Sequence, residues 1–244
     1  FHISVYDSDE STGRFHEMIR TMHDKARNVE PTGFHHFLAG LAEAGRLRRH
    51  YMQNIDGIDS RSASYRGFKN LDLLPITIHL HGSLDKMFCH KCQREFTFDV
   101  NCFHGSETVK CGNCIRLEEE RDRKREAHGR PPARKASRIV GALRPKVTLY
   151  EDEHQSIDAS YERAITKDFR KAPDCVIIVG TRLQIPKARR LAEILAAKSK
   201  DKDGLVIYIN KEQASLGPKM DSLIDFRFDG DCDDFASLMQ ETRR

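Results

Sequence analysis

The sequence predicts an α/β protein: a doubly wound parallel sheet with a small metal-binding ribbon inserted in it. Three observations carry that expectation. After Ile157, strand-length apolar runs (Asp174–Gly180, Leu205–Asn210, Ile224–Phe228) alternate with helical periodicities (Ile157–Lys171, Lys187–Lys200, Asp234–Glu241), the pattern of strands returning in parallel through helices. Between the two halves stands Cys89-x2-Cys92-x18-Cys111-x2-Cys114, a spacing that supplies four soft ligands from two facing pairs. At 244 residues the chain is long enough for one sizeable core and a smaller appended unit.

Taken in order, residues 1–13 are polar, and Asp7–Ser11 reads as a loop. Phe15, Met18, Ile19, Met22 and Ala26 recur at helical spacing, which predicts an amphipathic helix over 14–26. Pro31-Thr32-Gly33 starts a second helix through Phe34, Phe37, Leu38 and Leu41, which Gly45 ends. A short strand is expected over Arg46–Tyr51, and Ile76–Leu80 reads as a strand that delivers His81. Leu117–Glu126 is almost wholly charged and reads as an exposed helix. Val147–Tyr150 returns to strand, and Asp174–Gly180 reads as a strand buried on both faces.

Composition excludes some functions. The charged fraction is 32%, and no apolar run approaches the ~20 residues of a membrane-spanning helix, so a soluble protein without membrane partners is expected. Seven cysteines, four of them in Cys-x2-Cys pairs, fit metal binding better than a disulfide framework. The net charge of +4 is matched by Ile115–Arg138 alone, where nine Arg or Lys face five Asp or Glu. Within it, 128–138 is a basic loop, either a solvated face or a contact for nucleosomal DNA. The chain opens on Phe1 without methionine or secretory leader, which reads as a cut or incomplete N-terminus.

Four thiolates from Cys89, Cys92, Cys111 and Cys114 close a tetrahedral sphere, so one structural zinc is expected, with His90 and His104 as bystanders. His81, ahead of Gly82 at a strand end, is either a general base or one of many surface and core histidines. Gln53-Asn54-Ile55-Asp56-Gly57-Ile58-Asp59 follows a strand, where it is either a ligand-binding edge or an Asn and Asp turn. Gly180-Thr181, Asn210 with Glu212, and Gly230-Asp231-Cys232-Asp233 end three successive strands, which suggests one nucleotide-binding crevice.

In this order and spacing, those segments together with Arg144-Pro145 resemble the sirtuins, the NAD-dependent protein lysine deacylases, over nearly the whole chain. Asn54-Ile55-Asp56-Gly57, Leu143-Arg144-Pro145 leading to Leu149-Tyr150, and the charged insert are most similar to the fungal nuclear class that deacetylates histones. The resemblance implies a Rossmann-like fold with a zinc ribbon, in three segments: 1–80, 81–142 and 143–244. It implies NAD-dependent deacetylation in which the acetyl-lysine oxygen attacks C1′ of the nicotinamide ribose, nicotinamide leaves, and O-acetyl-ADP-ribose forms. His81 would be the general base; Gln53, Asn54 and Asp56 would line the nicotinamide–ribose pocket; Gly180, Thr181, Asn210, Glu212 and Cys232 would hold the adenosine half. Thr148 and Leu149 would lie on the strand that pairs with the substrate backbone.

Acetylated histones are the implied partner and the nucleus the implied location. Departures are visible too. The Gly-Ala-Gly loop, the Asp-Phe-Arg segment and the first central strand of such proteins are absent from the sequence, so poor NAD binding is expected of it as given. Met52 stands for the usual Thr and Arg182 for the usual Ser. The competing reading is a catalytically incomplete chromatin module built on the zinc ribbon and the basic insert. Glu151, Asp152 and Glu153 follow the substrate strand and read either as an attractor for basic residues flanking acetyl-lysine or as a solvated acidic turn.

Overall fold

The computed structural model describes residues 1–61, 76–131, 140–152 and 159–241. Arg134, Lys135, Arg138 and Glu153 lie outside the described residues. Two compact units divide the chain: Phe1–Val29, Asn54–Ile58 and His81–Ser156 form one, and Glu30–Gln53, Asp59–Leu80 and Ile157–Arg244 form the other. No helix among the described residues is long and apolar enough to cross a membrane.

The first unit opens with a 3-10 turn, Ile3–Tyr6, and helix α1, Asp9–Arg27. Asp7–Ser11 is therefore not a loop throughout. Ser8 and Ser11 form a reciprocal capping box, and Asp9 and Glu10 in the first turn favour the positive end of the helix. Below it lies a three-stranded antiparallel sheet in which β3, Gly82–Cys89, pairs with β4, Glu95–Thr97, and with β5, Leu143–Val147. β5 lies earlier than the expected 147–150, because Leu143, Arg144, Pro145 and Val147 are the residues that register against β3, with Leu143, Pro145 and Val147 turned inward. Phe15 and Ile19 of α1 pack on Leu84, Met87, Phe98, Phe103 and Leu149 in one core. Helix α4, Gly112–Ala127, begins earlier than the charged stretch suggested.

In the second unit α2 spans Gly33–Glu43 and ends before Gly45, whose φ is +67°. Strand β1, His50–Met52, is shorter than expected and pairs in parallel with β2, Thr77–His79. The remaining strands β6 (Cys175–Val179), β7 (Leu205–Asn210) and β8 (Phe226–Asp229) form a second parallel ladder in that order. The helices of this unit are α3 (Ile58–Arg61, shared at its first residue with the other unit), α5 (Ala159–Arg170), α6 (Pro186–Lys200), α7 (Pro218–Asp221) and α8 (Cys232–Glu241).

Period-two alternation sorts the strand side chains onto two faces. Ile207 and Ile209 of β7, with Ile177 and Val179 of β6, meet Phe37 and Leu38 of α2 and Phe235 of α8. Val206 and Tyr208, with Val176 and Ile178, meet Ala192 and Ala196 of α6. Helices on both faces of a parallel ladder make this the doubly wound layer. β6 is half-buried rather than sealed on both faces, because it lies at the edge of its ladder and β7 lies in the middle.

A polar cluster around Asp168 is buried in this unit. Asp168 of α5, 3% exposed, accepts from Arg48 Nε at 3.2 Å, Arg49 Nε at 2.6 Å, Arg49 Nη2 at 3.0 Å and the Tyr51 hydroxyl at 2.6 Å. Replacing Asp168 with alanine takes the shared carboxylate away from a buried guanidinium, and the expected cost is about 3–5 kcal/mol. Urea denaturation of the variant and the parent checks it.

Candidate functional site

One strand end, the turn after it and one helix N-terminus position the cysteines. Cys89 closes β3, Cys92 lies in the turn before β4, Cys111 is the N-cap of α4 and Cys114 lies in its first turn. Only the first pair is on the ribbon; the second is carried by a helix N-terminus. All four sulfurs lie within 4.8 Å of one another. Cys89 to Cys114 is 3.7 Å and Cys92 to Cys111 is 3.9 Å, close to the edge of about 3.8 Å that 2.3 Å metal–sulfur bonds give a tetrahedron, and far beyond a disulfide at about 2 Å. The donor set thus fits a metal ion.

Burial pushes the thiols of Cys89, Cys111 and Cys114 up. At Cys92 burial also acts upward but is outweighed by the Arg94 N–H, the Asn113 amide and neighbouring thiols, and its value falls to about 7. Asn113 Nδ2 donates to Cys92 Sγ at 3.5 Å. His90 Nδ1 stands 3.1 Å from both the backbone nitrogen and the carbonyl of Ala142, and is occupied with the backbone. A β-carbon at Gly141 would stand 2.5 Å from Cys89 Sγ, so this crossing over the cluster requires glycine.

His81 lies in the turn between β2 and β3, directly before Gly82. Its carbonyl accepts from Thr148 N at 2.9 Å, Leu80 N donates to Met52 O at 2.8 Å, and Gly82 pairs with Val147. Gly82 has φ +81°, and a β-carbon there would lie 2.0 Å from Lys146 O. Only glycine fits, so the backbone after His81 has one path. The imidazole Nε2 is buried.

The polar run after β1 is divided between the units. Gln53 belongs to the second, where its Nε2 donates to Thr181 Oγ1 at 3.0 Å. Asn54 is exposed in the first; Ile55 packs in that core and accepts from Leu84 N at 2.8 Å; Asp56 Oδ1 accepts from Ile58 N at 3.1 Å, a short Asx turn. Asp59, buried, faces His79 Nε2 at 3.5 Å, a pairing that charge type alone does not disclose in sequence. His50 is pushed down to about 4 by burial, then by the nearby His79 and His35.

The three strand tips come together. Gly180 N donates to Ile209 O at 2.9 Å and Gly230 N to Asn210 O at 3.0 Å, which sets the ends of β6, β7 and β8 side by side. Gly180 has φ +61° and open space where a β-carbon would be. Asn210 Nδ2 donates to the Glu212 carbonyl at 2.7 Å. Cys232, half-buried, begins α8, and burial, then Asp233 and Asp231, raise its thiol. Two ion pairs at these tips were not foreseen: Arg182 with Glu212, and Lys211 Nζ with Asp231 Oδ2 at 2.7 Å.

Thr148 and Leu149 lie just past β5. Thr148 is exposed, while the Leu149 side chain is in the core. Tyr150 is bridged by Phe1 O and by Ile3 N at 2.8 and 2.9 Å. Asp152 is not the outward acid of the acidic run: its side chain is 2% exposed and faces Arg144 Nη1 at 3.6 Å. Arg144 in turn lies over the Tyr6 ring at 4.4 Å. Glu151 remains exposed, 3.0 Å from His2 Nε2.

Residues 4–186 match the Sir2 family. The chain belongs to that family. A relative from Emericella nidulans, described as NAD-dependent protein deacetylase hst4, is 35% identical over 248 residues, which cover 100% of this chain and 40% of that protein. The NAD-dependent histone deacetylase HST4 of Saccharomyces cerevisiae is 35% identical over 247 residues, covering 96% of this chain and 64% of that protein. This Sir2-family chain therefore spans less than two thirds of either relative. A solved structure described as a Sir2 homolog–NAD complex superposes with a TM-score of 0.64 at 21% identity, over 98% of this chain and 74% of that one. The sirtuin fold, with its parallel layer and its cysteine-cluster insertion, is thus the fold of this chain.

Proposed function

We propose that the full-length protein is a nuclear, NAD-dependent lysine deacetylase acting on acetylated histones and yielding nicotinamide and O-acetyl-ADP-ribose. The observation that carries the reading is the Gln53–Thr181 hydrogen bond, which ties Gln53 to the loop after the open Gly180 tip. Membership of the Sir2 family and the deacetylase names of its relatives support it.

The residues fit NAD. Gly180 leaves room for a close backbone approach, and polar side chains end each adjoining strand. Gln53, Asn54 and Asp56 would hold the nicotinamide–ribose end; Gly180, Thr181, Asn210, Glu212 and Cys232 would hold the adenosine half. When bound, NAD supplies the activated ribose to which the acetyl group passes. His81 would take a proton from a ribose hydroxyl onto its imidazole, as a general base. With its side chain buried, Leu149 would offer a peptide only backbone, beside the exposed Thr148. The four cysteines would hold one zinc, whose closed coordination sphere makes it structural.

Full-length protein given NAD and an acetylated histone peptide should release nicotinamide in step with loss of the acetyl group. Release that does not depend on the peptide, or none from metal-replete protein, would reject the assignment.

A further inference from the structure

Building on the nucleotide-site reading above, we propose that Arg182 sets what the adenosine-ribose end accepts and admits a ribose bearing a 2′-phosphate. The loop after β6 is held on every side but one. Thr181 Oγ1 accepts from Gln53 Nε2 at 3.0 Å and from Leu183 N at 3.1 Å, and the Thr181 carbonyl accepts from the Tyr208 hydroxyl at 3.1 Å. Leu183 is buried, and its carbonyl accepts from Arg189 Nε at 2.9 Å. Arg182 is the residue this clamp turns outward. Its side chain, 55% exposed, pairs with Glu212, 67% exposed, two residues past β7. Glu212 is anchored through its carbonyl by Asn210 Nδ2 at 2.7 Å.

The scaffold therefore presents a guanidinium and a carboxylate together at adjoining tips of a parallel ladder. In nucleotide-binding sheets of this kind a carboxylate takes the ribose hydroxyls, whereas a nearby arginine accommodates a 2′-phosphate. Here both are present, and each engages the other. An exposed ion pair of this sort is weak and exchanges readily. A guanidinium has five donors in a planar fork, so one carboxylate leaves several for a phosphate, whose bidentate geometry it matches. Lys211, neighbouring Glu212 in the chain and paired with Asp231, adds a second cation at the same tips. An unphosphorylated ribose would instead compete with Arg182 for Glu212.

Calorimetric titration of the full-length protein with adenosine 5′-monophosphate, adenosine 2′,5′-bisphosphate and adenosine 3′,5′-bisphosphate tests the assignment. The 2′-phosphate should tighten binding about tenfold over the monophosphate, the effect of one charge-assisted contact. Arg182→Ser should erase that gain, and Glu212→Gln should keep it. Monophosphate binding with no gain from the 2′-phosphate overturns the inference and leaves the nucleotide site standing. An equal gain from the 3′-isomer, or a gain that survives Arg182→Ser, overturns it as well, since charge alone would then account for the effect. If none of the three nucleotides binds, the nucleotide-site reading itself falls and takes the inference with it.

Discussion

Replacing His81 with alanine in the full-length protein is expected to lower peptide-dependent nicotinamide release by about 10²–10⁴-fold, the usual contribution of a positioned general base. Little change in thermal unfolding should accompany the loss. The backbone at this point is held by main-chain bonds, Thr148 N to the His81 carbonyl and Leu80 N to Met52 O, and by the narrow passage at Gly82, none of which involves the imidazole. Steady-state release and thermal unfolding check both, and activity within threefold of wild type would take His81 out of the chemistry.

The second large effect is expected at the cysteine cluster. Cys89→Ser should reduce bound metal from one equivalent toward none and loosen the unit that contains β3, β5 and α4, because metal binding there is folding free energy. A loss of about 4 kcal/mol corresponds to a Tm lower by ~10 °C in a domain of this size. Cys89 and Cys111 lie in the same core as Phe15, Leu84 and Phe103, so the metal site and the apolar packing should fail together. Elemental analysis with calorimetry reads the two quantities separately; full metal content at an unchanged Tm would contradict the assignment.

Much of this was legible in sequence where a signal is local. Cysteine spacing marked the cysteine cluster, Gly45 marked the end of α2, and the apolar run of β7 marked a strand with helices on both sides. Signals that depend on distant partners were not. The start of α1 rests on the Ser8–Ser11 box, which a polar stretch conceals. β5 is defined by registry with β3, more than fifty residues earlier, and not by its own propensity. Charge told nothing of burial: Asp59, Asp152 and Asp168 look like surface residues in sequence, and each is sequestered beside a cation or a histidine. The Arg182–Glu212 pair joins residues on separate strand ends, so only the parallel ladder brings it into being.

The chain passes between its two units five times, at 29–30, 53–54, 58–59, 80–81 and 156–157, and Gln53, Asn54 and His81 stand at the second and fourth of these links. The motifs assigned to chemistry are therefore also the chain's connectivity. A change there is felt twice, once in reactivity and once in the route the polypeptide must follow, so these positions have little freedom to drift in length. Room for variation lies elsewhere, in α4, whose charged residues run on past the cysteines and away in sequence from all of these links.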